Sequence, residues 1–438
     1  MDTSDAVPGT SATQTNHTEA DPTEADPTKA DPTEAAGRPV TLAAIEAARE
    51  RLAGTALVTP METSRWLSAL TGASVSLKCE NLQRTGSFKI RGAYLRISNL
   101  SAAERARGVV AASAGNHAQG VALAARLLGI TSTVFMPNGA PIPKEKATRG
   151  YGADVEFVGH TIDECLVAAR EFEARTGAVL IHPFDHADIV AGQGTCGLEI
   201  LEQTPDVQTV IVPTGGGGFL AGIATAIKAV RPDVRVVGVQ AEAAAAYPAS
   251  LSAGKPVPLR SMATMADGIA VGCPGHVPFA AIQRYVDEIR TVSEESLSTA
   301  VLALLERAKV VVEPAGAAAV AALMDEPTAF TGPVVVILSG GNIDPLLLMR
   351  VIRHGMAAQG RYLAIRCLVP DRPGGLARLL NELSAADANV LDVVHERTSE
   401  SLPLDQVEVV LQMEMRGQNH SQHVLAKLRA SGYDPRVS

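Results

Sequence analysis

The chain has 438 residues, 46% of them hydrophobic and 19% charged, with a formal net charge of −9. That length argues for more than one compact domain, the acidic balance offers no basic field for nucleic acid, and no uninterrupted apolar run reaches bilayer length. The five cysteines, Cys79, Cys165, Cys196, Cys273 and Cys367, include no CxxC pair, which argues against a disulfide frame or a zinc site. The N-terminus lacks both a basic n-region and an apolar h-region, so a cytoplasmic protein is expected.

Residues 1–38 repeat Ala-Asp-Pro-Thr from Ala20, Ala25 and Ala30. Recurrent proline forbids a continuous helix, and there is too little apolar surface to offset ordering entropy, so a disordered tail is expected. From Thr41 the pattern turns globular. Leu42, Ile45, Ala48 and Leu52 recur at helical spacing. Strands are expected at Val75–Cys79, Val109–Ala112, Thr133–Met136, Val155–Val158, Val210–Val212, Val234–Val239 and Val334–Leu338. Helices are expected at Ala118–Leu128, Lys144–Arg149 and Ile162–Arg175. Strands alternating with helices imply parallel sheet with helical crossovers, here over residues 39–355. Residues 361–438 read differently: strand Tyr362–Val369, helix Gly375–Ala386, strands Val390–Glu396 and Val407–Met413, helix Val424–Ala430, and room for a fourth strand. That order is ferredoxin-like.

Four segments carry candidate chemistry. Thr85–Ala93 sets Lys89 among small and apolar neighbours. Desolvation lowers a lysine pKa and leaves the neutral amine that attacks an aldehyde; the alternative is a surface lysine at a helix start. Ser113–Gly120 lies between a strand and a helix, where backbone N–H groups can hold a carboxylate or Ser113 can simply cap the helix. Gly215–Gly218 follows a buried strand and leaves no Cβ between backbone N–H groups and a bound anion. It lacks the lysine of a P-loop, but Gly216–Ala221 also fits GxGxxA with Glu242 near the ribose position, so a dinucleotide site stays open. Ser339–Asn342 places a hydroxyl at the carboxyl edge of the sheet, again with a cap as the alternative.

Taken together, SFKIRGA from Ser87, SAGNHAQG from Ser113, GGGG from Gly215 and SGGN from Ser339 resemble the fold-type II pyridoxal-phosphate enzymes, most nearly the threonine ammonia-lyases, with the serine racemases as close relatives. The resemblance implies an α/β catalytic domain of two open parallel-sheet subdomains, pyridoxal 5′-phosphate as cofactor, and deamination of L-threonine to 2-oxobutanoate, with L-serine giving pyruvate. It implies a homodimer or homotetramer in isoleucine biosynthesis or threonine catabolism. It assigns Lys89 as the Schiff-base lysine and α-proton base, Phe88 to the side of the cofactor ring, and Asn116 to its phenolic oxygen. Gly215, Gly216, Gly217, Gly218 and the Phe219 amide would hold the phosphate, Ser339 would face the pyridine nitrogen, and Gly268 and Glu313 would sit at the ring edge. Ser113, Ala114, Gly115, Asn116 and His117 would surround the substrate carboxylate.

Two departures from the relatives matter. Ala114 stands where the racemases have a second serine, which argues against racemisation. Gln240 and Ala246 stand where those relatives hold a cation, so no metal site is carried over. In the tail, Val369–Leu376 resembles the ACT regulatory domain, whose strand-to-helix turn would bind an amino-acid effector at Asp371, Pro373, Gly374 and Gly375. An oxidoreductase and a non-catalytic amino-acid sensor remain the readings from other classes.

Overall fold

The computed structural model describes residues 39–397 and 403–437. The expected tail at residues 1–38 lies outside them. Among the described residues three sheets form. The largest runs Met61–Thr63, Val75–Lys78, Val334–Ile337, Thr209–Pro213, Arg235–Ala241, Glu288–Val292. All its neighbours are parallel except the first pair. The second sheet is wholly parallel, in the order Asp154–Phe157, Ser132–Met136, Val109–Ala112, Val179–Leu180. The apolar strand Val334–Ile337 shows why the larger sheet is central. Val334 and Val336 feed one hydrophobic cluster, and Val335 and Ile337 feed another on the opposite face, as a strand covered on both sides must.

The helix Ala187–Gln203 joins the two sheets and is buried along most of its length. Its glycines permit backbone contact: a Cβ at Gly192 would meet the Arg91 carbonyl and Gly92, and one at Gly194 would meet the Gly222 carbonyl. The helix Lys89–Ser98 packs into this seam. It is held there by four buried charges. The Arg91 guanidinium donates to both Glu80 oxygens at 2.8 Å and to Glu199 at 2.6 Å, and Lys78 Nζ donates to the other Glu199 oxygen at 2.6 Å. Burial alone would raise the Glu80 carboxyl, but Arg91 outweighs it and holds the group below its usual range.

The third sheet is antiparallel, ordered Asn389–Glu396, Gln406–Glu414, Tyr362–Pro370, Arg436–Val437. Alternate residues Ile365, Cys367, Val369, Val407, Val409 and Leu411 bury against Leu379, Leu383, Val424 and Leu428 of two helices, which is the ferredoxin-like plait. A helix over Pro345–Ala358 leads into it. Arg361 pairs with Glu306 at 2.6 Å, and Gln418 and Ser421 donate to the carbonyls of Ala358 and Gly360. No described helix is long and apolar enough to cross a membrane.

Candidate active site

Lys89 opens its helix at the junction of the two parallel sheets. Gly120 lets the helix Asn116–Leu127 approach: a Cβ there would stand 3.2 Å from the Lys89 backbone. Lys89 is half-buried, its amine donating to the Pro183 carbonyl at 3.1 Å and lying 5.1 Å from the Phe88 ring centre. Burial pushes its pKa down to about 8, against the pull of Glu313. The Phe88 ring stacks on Phe219, centroids 3.9 Å apart, so an apolar pair joins the lysine helix to the helix after the glycine run.

The glycine run follows strand Thr209–Pro213 and starts helix Gly218–Val230. Two of its positions are closed to any side chain and a third is tight. A Cβ at Gly216 would overlap the Phe184 ring, one at Gly217 would overlap the Tyr247 hydroxyl, and one at Gly215 would stand 3.0 Å from Ile269 Cα. Tyr247 is wholly buried, and its hydroxyl donates to the Gly216 carbonyl at 3.2 Å. The turn is thus fixed from both sides, with backbone N–H groups and the helix dipole gathered at one end, the arrangement that holds phosphate.

On the other side of the cleft, Asn116 Nδ2 donates to Glu313 Oε1 at 2.6 Å, and Asn342 Nδ2 donates to Asn116 Oδ1 at 2.7 Å. Gly268 backs this pair: its Cβ would lie 3.5 Å from Glu313 Oε1 and 4.0 Å from Asn116 Nδ2. Ser339 is buried, and its carbonyl accepts from Phe88 N at 3.3 Å. Ser113 Oγ accepts from Gly115 N at 3.2 Å. His117 Nε2 contacts the Ile181 carbonyl at 2.7 Å, and burial with the nearby Lys89 pushes the ring down to about 3. It is therefore neutral, with Nε2–H donating to that carbonyl.

Burial, aided by Asp267, raises the Glu313 carboxyl to about 7 from an ordinary 4.5. Glu313→Gln is accordingly expected to raise the melting temperature of the cofactor-free protein at pH 8 and to change it little near pH 5. The unfolded carboxyl ionises first, so the folded state incurs a penalty that begins near 4.5, grows to the order of 3 kcal/mol by pH 7 and stays constant above. Glutamine still offers an oxygen to Asn116. Equal melting shifts at both pH values would contradict this.

Residues 52–340 match the family described as pyridoxal-phosphate dependent enzyme. The chain belongs to that family. Residues 364–432 match the ACT domain. The L-threonine ammonia-lyases of Thermotoga maritima and Geobacter sulfurreducens are each 46% identical, over 91% and 90% of this chain and 99% and 98% of theirs. The "L-threonine dehydratase catabolic TdcB" of Escherichia coli K12 is 45% identical over 70% of this chain and 94% of its own length. Among solved structures, a threonine deaminase from "T.th." superposes with a TM-score of 0.67 at 43% identity, covering 69% of this chain and 99% of that one. Maize serine racemase superposes with a TM-score of 0.69 at 34% identity, covering 72% and 97%.

The residues present fit pyridoxal phosphate. The closed glycine turn suits its phosphate, and an amine with a lowered pKa suits its aldehyde. The oxidoreductase alternative falls with family membership; Glu242 stands exposed on the surface turn Glu242–Ala244. Among the described residues no group of three or more His, Cys, Asp or Glu could hold a metal. Gln240 Oε1 accepts from Tyr247 N at 2.9 Å.

Several residues of the cleft escape a reading of motifs. Pro183 and Phe184 cover Lys89 and the glycine turn from a segment with no glycine signature. Tyr247 buttresses the turn from a helix after the next strand. Lys144 reaches Asp267 across the cleft, and nothing in its surrounding sequence marks it. In the ACT domain, Asp371, Pro373, Gly374 and Gly375 line a cavity of about 330 Å³ that also takes in His395 and Arg397. Arg397 lies 3.3 Å from Asp371.

Proposed function

We propose that this chain deaminates L-threonine to 2-oxobutanoate and ammonia, and L-serine to pyruvate. Relatives at 45–46% identity carry the names L-threonine ammonia-lyase and L-threonine dehydratase. The observation that carries the reading is a site whose one amine, Lys89, is suited to taking a proton, while the Glu313 carboxyl is bonded to Asn116. Lys89 is poised between ammonium and amine, Ala114 has only a methyl group, and burial keeps His117 from taking up a second proton. Racemisation needs a second base on the opposite face; elimination does not.

When bound, pyridoxal phosphate supplies the electron sink for the charge left at the substrate α-carbon. Lys89 Nζ accepts the α-proton as general base. The amides of Gly215, Gly216, Gly217, Gly218 and Phe219 hold the phosphate, while Asn116, Gly268, Glu313 and Ser339 border the ring. Ser113, Ala114, Gly115, Asn116 and His117 form the carboxylate side of the substrate site. The Phe88 ring, stacked on Phe219, lies against the amine. The net reaction releases ammonia from threonine with no external oxidant. The test is production of 2-oxobutanoate from L-threonine alongside the optical purity of residual L-serine. Appearance of D-serine faster than pyruvate would favour a racemase instead.

The ACT domain serves as the receptor for an amino-acid effector, isoleucine or valine, at Asp371, Pro373, Gly374 and Gly375. An effector acts only through unequal affinity for two enzyme states. Either amino acid is expected to shift half-saturation by threonine by about fivefold or more. A chain ending at Gly360 is expected to retain turnover and lose the shift. Saturation curves that superpose with and without both amino acids would remove this reading.

A further inference from the structure

We propose that Lys144 binds the substrate carboxylate, exchanging Asp267 for it when the site fills. This rests on the reading of Ser113–His117 as the carboxylate side of the lyase site. Lys144 lies on helix Ile142–Gly150, a crossover of the smaller parallel sheet, and Asp267 opens the turn Asp267–Ile269 between elements of the larger sheet's body. Their ion pair therefore spans the cleft.

Three features set this pair apart from an ordinary surface bridge. First, it is lopsided: the Lys144 side chain is 9% exposed and the Asp267 side chain 53%. Second, among the described residues the Lys144 ammonium bonds Asp267 alone, although an ammonium carries three donors. A buried cation with unspent donors and one half-solvated partner is poorly compensated. Third, the ammonium stands 3.9 Å from where a Cβ at Gly115 would be. It thus overlies the turn that leads into helix Asn116–Leu127, whose first N–H groups have no partner within the helix.

A carboxylate seated on that turn meets the lysine from inside the cleft. There the attraction is screened less than it is for Asp267 at the rim. Asp267 regains its hydration on release, so the exchange costs little. In the unliganded enzyme Asp267 is then a competitor that keeps Lys144 extended over the turn, and Lys144 selects for substrates that carry a carboxylate next to the amine.

The test uses the cofactor-loaded full chain and equilibrium binding read from the cofactor's visible band. The probes are L-alanine, which has no β-leaving group, and L-alaninol, which lacks the carboxylate. K144M is expected to weaken L-alanine about 10- to 100-fold and to leave L-alaninol unchanged. D267N is expected to tighten L-alanine several-fold, and to do nothing in the K144M background. Equal weakening of both probes by K144M, or weakening of L-alanine by D267N, would make the pair a fixed brace and overturn the proposal. The D267N result decides by its sign alone if K144M does not fold. A wild-type enzyme that yields no 2-oxobutanoate from L-threonine defeats the lyase reading by itself, and this proposal with it.

Discussion

Lys89→Ala is expected to lower 2-oxobutanoate formation from L-threonine by at least about 10³-fold. The variant loses both the amine that holds the cofactor and the base that takes the α-proton, and no neighbour can substitute. His117 is neutral and committed to the Ile181 carbonyl, the Glu313 carboxyl is bonded to Asn116, and Lys144 is committed to a carboxylate, that of Asp267 or of the substrate. The fold should survive, because the helix is anchored by Arg91 rather than by Lys89. Far-ultraviolet circular dichroism should match wild type, while borohydride should no longer fix the cofactor to the chain. A rate within tenfold of wild type would refute the role given to Lys89.

Gly217→Ala is expected to weaken cofactor binding at least about 100-fold while leaving the rest of the chain folded. Two penalties coincide. The residue sits at φ +96°, where an L side chain is strained by roughly 1–2 kcal/mol. Its methyl would also overlap the hydroxyl of Tyr247, which is fully buried and cannot swing away. The turn must move, and the N–H groups then no longer converge on one anion. Gly254→Ala is the control: φ is +68° there but no atom lies within 4 Å of the added Cβ, so only the conformational term is incurred. Cofactor titrations of the two variants should differ widely; matching affinities would show that crowding at the turn is unimportant.

The parts of the molecule legible in the sequence are those whose signal is local. Val334–Ile337 reads as a doubly covered strand because all its residues are apolar, and Gly215–Gly218 reads as an anion turn because four glycines exceed what a bend requires. The ferredoxin-like tail shows through the alternation of Ile365, Cys367 and Val369. Where the signal is distributed, it is lost. Glu288–Val292 is an edge strand carrying Glu288 and Arg290, which mask its pattern. Met61–Thr63 and Val179–Leu180 are too short to show a period. The helix Ala187–Gln203 contains Gly192, Gly194 and Gly197, poor helix formers kept for close packing, and so does not announce itself. Lys144 and Asp267 become partners only when two sheets meet.

The Arg91, Glu80, Glu199 and Lys78 quartet has a consequence for where the reactive nitrogen ends up. A helix seated on aliphatic side chains alone could slip by a turn and recover most of its contacts. This one cannot, because any axial displacement would separate opposite charges away from water, and each stranded ion would cost several kcal/mol. Two residues beyond Lys89 on the same helix, Arg91 therefore acts as an electrostatic detent that gives the amine a single address along the axis.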